Sequence, residues 1–263
     1  MTRNTLIAAV GVLLVVILMQ AIALWMTPTG LPDAAGDGAA TAERAEPEVV
    51  REKLTALGEV GELAFEDDAG LYRAHIGSQI LYVTPDGRFA INGDLYDLES
   101  RTNVTEQARS DSRASAMAEL DADDAIVFSP EGETKHVVWI FTDPECPYCQ
   151  RLHNHMAAIN ERGIEVRYLA FPRGGPGSAN WRLTEAVWCA DDPRAAITAV
   201  KNNDSLDTSG EACADSPVNA QYQLGREVGL TGTPMIIDET GKVLGGYLKP
   251  EALATRLAGN SRG

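Results

Sequence analysis

The sequence predicts an α/β protein with a large domain built on a strand–helix–strand unit, a small α+β domain ahead of it, and an apolar helix at the N-terminus. Three observations carry this expectation. Between His136 and Phe171 an apolar strand, a helix from Cys146 to about Asn160 and a second apolar strand follow one another, the pattern of a βαβ unit with a parallel pair. Between Leu71 and Leu98 the period changes to that of short strands, and Pro85-Asp86-Gly87 supplies a tight turn. Between Leu6 and Met26 the chain is apolar except for Gln20 as a strongly polar side chain.

At about 1.5 Å per residue the Leu6–Met26 run spans roughly 30 Å of hydrocarbon. A cleaved secretory signal has an apolar core of about 7 to 15 residues, so length favours an uncleaved transmembrane anchor over a signal segment for residues 1–27. Arg3 precedes the run and all acidic residues follow it, which places the remainder on the outer side of the membrane. Both readings export the rest of the chain. A buried core helix would need protein cover that a segment so near a terminus rarely finds. With 22 Lys and Arg against 38 Asp and Glu among 263 residues, the net charge is −16, and such a surface repels phosphate backbones. Nucleic acid is thereby excluded as a partner. Only five of the basic residues are lysine, a balance that suits a high-salt habitat as well as plain solubility.

Residues 28–47 are rich in Ala, Gly, Pro, Asp and Glu and read as a flexible spacer. Val49, Val50, Leu54 and Leu57 then recur at helical spacing up to Gly58, a suitable C-terminal cap. Strands follow at Leu71–Ile76, Ile80–Thr84 and Arg88–Ile91. A domain of residues 48–101 has a marginal core and exposed sheet edges, so a second copy is expected to complete it as a homodimer. Residues 102–126 read as a solvated linker helix with a narrow apolar face of Ala116, Met117 and Leu120. The large domain, residues 127–263, continues past its βαβ unit with a helix-leaning insertion from Asn180 to Val228. Strands at Met235–Asp238 and Val243–Tyr247 and a helix from Pro250 close it.

The chemistry sits where the first apolar strand gives way to its helix, at Phe141-Thr142-Asp143-Pro144-Glu145-Cys146-Pro147-Tyr148-Cys149. A thiolate is the nucleophile of disulfide exchange, and unpaired N–H groups at a helix start lower its pKa. Cys146 occupies that start, and Pro147 fits the first helical position, where a missing N–H costs nothing. The macrodipole alone contributes roughly 0.3 to 1 kcal/mol, so a larger shift needs direct hydrogen bonds, and Asp143 and Glu145 oppose it by like charge. Cys149 lies one turn inward and suits a resolving thiol. Half of a zinc site, completed by His153 and His155, is the competing reading. A four-ligand site would distort the helix start, so redox chemistry without a metal or cofactor is expected and the two histidines read as solvated or lightly packed. Cys189 and Cys213 lack near partners and read as a structural disulfide, worth about 3.5 kcal/mol on the loop-entropy argument.

These residues resemble the bacterial periplasmic disulfide isomerases of the DsbC and DsbG family, over about residues 48 to 258. The resemblance rests on the Phe141-Thr142-Asp143 lead-in, Cys146-Pro147-Tyr148-Cys149 followed by Leu152-His153, Ala186-Val187-Trp188-Cys189, Gly232-Thr233-Pro234 before a strand, and Gly93-Asp94-Leu95-Tyr96-Asp97 in the small domain. It implies a thioredoxin-like catalytic domain behind a dimerisation domain, located in the periplasm. It further implies that Cys146 and Cys149 carry out exchange, that Pro234 is cis, and that Thr233, Pro234, Pro147 and Tyr148 meet substrate. The implied partners are misoxidised or unfolded exported proteins, and a membrane reductase of the DsbD type as electron donor. A dithiol oxidase of the same fold and a dimeric holdase chaperone are the rival functions. The long apolar N-terminus departs from the soluble members of the family, and Pro147 is the DsbG choice in a chain otherwise closer to DsbC.

Overall fold

The computed structural model describes residues 44–209 and 213–260. The Leu6–Met26 run, and with it the expected anchor or signal, lies outside the described residues. Among those described, no helix is long and apolar enough to cross a membrane.

The small domain begins with α1 (Pro47–Leu54), which Pro47 starts and whose Val50 and Leu54, one turn apart, are buried. Strands β1 (Val60–Glu66), β2 (Leu71–Ile76), β3 (Gln79–Val83) and β4 (Ala90–Asn92) form an antiparallel meander in that order. In β2 and β3, Tyr72 pairs with Val83 and Ala74 with Leu81, and these four side chains pack with Val50 and Leu54. The alternate residues Ile80 and Tyr82 are also buried, and the Tyr82 hydroxyl lies 2.8 Å from Thr105 Oγ1. The expected turn is present, with Gly87 at φ +66° donating its N–H to Thr84 O at 2.8 Å. Strand β1 is absent from the sequence reading, because Gly61 and Glu62 interrupt its alternation.

A ribbon of β5 (Tyr96–Asp97) and β6 (Thr102–Asn103) leads into α2 (Val104–Ala118), where the Asn103 side chain caps the helix by accepting from Glu106 N–H at 2.9 Å. The linker is a helix as expected, but it is not simply solvated. Arg113 is buried, donates through Nε to Gly241 O at 2.6 Å, and pairs with Glu106. A Cβ on Gly241 would stand 1.9 Å from Ser110 O, so the helix backbone rests directly on this glycine.

The large domain contains β7 (Ile126–Phe128), β8 (His136–Thr142), α3 (Pro147–His153), α4 (Met156–Asn160) and β9 (Ile164–Ala170). The insertion helices α5 (Ala179–Trp188), α6 (Pro193–Lys201) and α7 (Val218–Glu227) follow, then β10 (Met235–Asp238), β11 (Val243–Gly245) and α8 (Pro250–Asn260). Its sheet runs β11-β10-β8-β9-β7, with β8 and β9 parallel and every other pair antiparallel. Both faces of β8 are covered, as its nearly continuous apolar sequence requires. Val138 and Ile140 pack with Leu152, Ile159 and Ile197 on one face, whereas Trp139 and Phe141 pack with Met117 and Ile237 on the other. Cys189 and Cys213 are disulfide-bonded, joining the end of α5 to the segment before α7.

The α2 docking predicts an asymmetry between glycines. Gly241 and Gly70 both have positive φ, +78° and +64°, but nothing lies within 4 Å of a Cβ added at Gly70. Gly70→Ala should cost about 1 kcal/mol of backbone strain, and Gly241→Ala at least about 2 kcal/mol more. Chemical denaturation of the two variants checks this, and equal losses would mean that α2 does not depend on the contact.

Candidate active site

Two sheet strands bring the site together. Met235 of β10 pairs with Phe141 of β8, so the residues just before β10 lie beside those just after β8. The Thr233–Pro234 peptide is cis, and the Thr233 carbonyl lies 3.3 Å from Cys146 Sγ, positioned to accept from the protonated thiol. Cys146 is the N-cap of α3 with extended backbone angles, Pro147 takes the first helical position, and Cys149 sits one turn inside. All six residues singled out in sequence around the motif and the Thr233-Pro234 dipeptide therefore converge. Both sulfurs are buried and neither is disulfide-bonded.

The two thiols are driven in opposite directions. The Cys149 thiol donates to Cys146 and lowers its pKa to about 5 against the opposing effect of burial, with the Thr233 side chain and the backbone N–H groups of Cys149 and Tyr148 adding to the shift. Burial pushes Cys149 well above the usual thiol range, and its neighbour Cys146 reinforces this. Lys201, the Asp143 backbone N–H and Thr142 act the other way.

A shell of polar groups lies behind the sulfurs. Asp143, 1% exposed, would be raised by burial, but Arg173, Asn180 and the Glu145 N–H hold it below the ordinary carboxylate range. Arg173 Nε donates to Asp143 Oδ2 at 2.8 Å and Asn180 Nδ2 to Oδ1 at 3.0 Å. The like-charge opposition expected from Asp143 is thus met by a guanidinium. His153 is buried rather than solvated, with Nδ1 3.3 Å from the Tyr168 hydroxyl and Nε2 3.1 Å from Thr198 Oγ1. Both ring nitrogens are engaged there, which takes His153 out of a zinc site. Among the described residues, no group of three or more His, Cys, Asp or Glu is placed to hold a metal ion.

Toward the surface, Tyr148 is 55% exposed and its ring lies 6.4 Å from that of Tyr247. The Arg151 guanidinium lies over both rings, at 5.4 and 5.7 Å, and His155 stacks on Tyr247. Sequence reasoning missed Arg151, Arg173, Asn180, Lys201 and Tyr247. Lys201 had a signal, since it falls four residues after Ile197 on the apolar stripe of an amphipathic helix.

Residues 38–106 match the family described as the disulfide bond isomerase protein N-terminal domain, and residues 123–259 match the thioredoxin-like domain. The thiol:disulfide interchange protein DsbC of Pasteurella multocida is 36% identical over 211 residues, covering 80% of this chain and 89% of that protein. The chain belongs to the DsbC family. DsbC of Escherichia coli K12 is 35% identical over 189 residues, covering 70% of this chain and 75% of that protein. A disulfide interchange protein from Neisseria gonorrhoeae is similar at 27% identity and a TM-score of 0.46, over 52% of this chain and 97% of that one. As a DsbC-family member the chain is a thiol:disulfide interchange enzyme.

The lowered Cys146 pKa has a signed consequence. A group whose folded pKa falls from 9.0 to about 5 adds stability above its unfolded value and loses it as pH falls through the folded one. The disulfide form has no such thiolate. The stability of the reduced chain relative to the oxidised chain should therefore rise between about pH 5 and pH 9, as paired denaturation curves would show. Iodoacetamide reactivity of Cys146 should have its midpoint near the lower end of that window, and Cys149→Ala should move the midpoint upward.

Proposed function

We propose that the chain isomerises and reduces non-native disulfides of exported proteins, with Cys146 as the attacking thiolate and Cys149 as the resolving thiol. The observation that carries this reading is the position of Cys146 at the N-cap of α3 against Thr233, with Cys149 one turn behind it. The Cys146 thiolate attacks one sulfur of a substrate disulfide, forming a mixed disulfide and releasing the other substrate sulfur as a thiolate. If a different substrate thiolate, one already present or one freed when the released thiolate attacks another substrate disulfide, then attacks the substrate sulfur bonded to Cys146, a new substrate pairing forms, Cys146 leaves as a thiolate and the outcome is isomerisation. If Cys149 attacks Cys146 instead, the Cys146–Cys149 disulfide forms, the substrate is reduced by two electrons, and its departing sulfur takes up a proton.

Thr233, Pro234, Pro147 and Tyr148 surround the attacking sulfur and are assigned to substrate contact. The Thr233 backbone, whose carbonyl lies 3.3 Å from Cys146 Sγ, supplies polar groups, and the exposed Tyr148 ring supplies an apolar platform. Isomerisation consumes no electrons but needs a reduced site, so a membrane reductase of the DsbD type is assigned as the donor. The setting is the periplasm, reached through the Leu6–Met26 run as an anchor or a cleaved signal. Residues 48–101 are assigned as the dimerisation domain, 102–126 as the linker and 127–263 as the catalytic domain. Phe89, Ile91, Tyr96 and Leu98, 50 to 86% exposed, form an apolar surface on the small domain that a second copy would cover.

Refolding of a scrambled multi-disulfide protein tests the chemistry. Cys146→Ala should abolish isomerase and reductase turnover, and Cys149→Ala should accumulate mixed disulfides with substrate. Aggregation suppression that survives loss of both cysteines, without any turnover in the parent chain, would leave only a holdase. Activity confined to the pre-oxidised protein would make it an oxidase. Sedimentation of residues 28–263 at micromolar concentration should give a dimer that Ile91→Lys dissociates, and a monomer with full isomerase activity would remove the dimer assignment.

A further inference from the structure

Lys201 is the last residue of α6, in the inserted helices, yet it is 1% exposed and its ammonium ends beneath the redox pair. Nζ donates to Thr142 Oγ1 at 2.9 Å and to Asp143 O at 3.3 Å, and it lies 5.4 Å from the centre of the Tyr168 ring. A hydroxyl that accepts from Nζ still has its own proton to give, and the Thr142 side chain hydrogen-bonds Cys149. Lys201, Thr142 and Cys149 thus form a line of donors that ends on the resolving sulfur. The charged and titratable groups facing Lys201 are Cys149, Cys146 and His153 from the site helix, Asp143 from the end of β8, and Tyr168 from β9. Of these, Asp143 is already engaged by Arg173 and Asn180, and His153 is held by Tyr168 and Thr198.

We propose that Lys201 is a positioning residue for the resolving step, its buried ammonium acting through the Thr142 hydroxyl to stabilise the Cys149 thiolate that attacks the mixed disulfide. The proposal rests on Cys149 being the resolving thiol. In the step itself, the Cys149 S–H bond breaks, the Cys149–Cys146 S–S bond forms, and the bond from Cys146 to the substrate sulfur breaks. The proton released by Cys149 ends on the departing substrate thiolate, and Lys201 keeps its own protons throughout. Burying an ammonium without a carboxylate partner is costly, and that cost is met when a thiolate appears one hydroxyl away. Burial brings the Lys201 pKa down to about 8, and Cys149, then Asp143 and Cys146, oppose that fall, with Cys149 the largest of the three, the reciprocal coupling that a shared stabilisation requires.

The test uses the full chain carrying a chromogenic thiol as a mixed disulfide on Cys146, with release of the chromophore followed in a stopped-flow instrument. Lys201→Met, which keeps length and removes charge, should slow release at least tenfold at pH 7 and move its pH midpoint upward. Thr142→Val should do the same with Lys201 in place. A folded Lys201→Met chain with unchanged rate and midpoint would overturn the proposal. If that variant does not fold, the Cys146→Ala chain supplies the second measurement through the Lys201 Cε resonance. Its titration curve should show a second step, at the pH where the ultraviolet absorbance of the Cys149 thiolate appears, that is lost when Cys149 is blocked by methylthiolation, and a curve unaffected by Cys149 ionisation would overturn the coupling. Failure to trap mixed disulfides with Cys149→Ala in the Lys201 background would instead sink the assignment of the resolving thiol.

Discussion

Backbone N–H groups in the first turn of α3 have no helical acceptor, and those of Tyr148 and Cys149 turn to the Cys146 sulfur. That interaction dictates much of what surrounds it. Pro147 can open the helix because its position has no N–H to satisfy, and it fixes the backbone where the chain turns from the extended Cys146 into the helix. The strand ahead of the helix must be rigid, and β8 is rigid because it is covered on both faces and paired on both edges by β9 and β10. The same pairing with β10 delivers the Thr233 carbonyl to the sulfur.

Placing sulfur chemistry in a buried site creates a charge problem, and the chain answers it with different groups on the two sides of α3. Asp143 is tied to Arg173 and Asn180. Lys201 is tied to Thr142 and to the Asp143 carbonyl. A buried charge with partners costs far less than one without, so each group fixes the others in place. Asn180 and Lys201 both come from the insertion, and Cys189–Cys213 fastens that insertion to itself. The inserted helices are therefore a wall of the site and contribute polar groups to it.

Much of this was legible in the sequence, for a definable reason. The Cys146-Pro147-Tyr148-Cys149 motif declares itself because a strand pattern, a proline and a helix pattern meet within a few residues. The ends of β10 were legible because Gly232-Thr233-Pro234 and Glu239-Thr240-Gly241-Lys242 punctuate a short apolar run. What stayed hidden depends on long-range contact. Strand β7 is three residues long and acquires its identity only by pairing with β9, 42 residues later in sequence at Ile126 opposite Tyr168. His153 looked solvated because a histidine on a helix carries no local sign that its two nitrogens will find Tyr168 and Thr198. Lys201 drew no notice because a lysine at the end of a helix is ordinarily solvated, and its one local sign is its place on the buried stripe.

The linker helix shows why apolar periodicity understates docking. Its face carries Thr105, Ser110, Arg113 and Met117, a set with weak hydrophobic character, and composition alone assigns it to solvent. The narrow apolar face of Ala116, Met117 and Leu120 does pack on the cluster of Trp139 and Phe141, and backbone proximity and one buried guanidinium add to that contact. Arg113 reaches the Gly241 carbonyl, and Gly241 has no side chain to keep Ser110 away. Such a contact is specific in direction, because a hydrogen bond to one carbonyl and a glycine-sized gap fit a single placement of the helix, whereas an apolar stripe tolerates sliding. The linker is thereby fixed at its C-terminal half to the turn between β10 and β11. At its other end, Thr105 meets Tyr82 of the meander. A helix held at both ends by polar contacts sets the distance between the small domain and the sheet that carries the redox pair, so the position of Cys146 relative to the apolar surface at Ile91 is a property of α2 as much as of either domain.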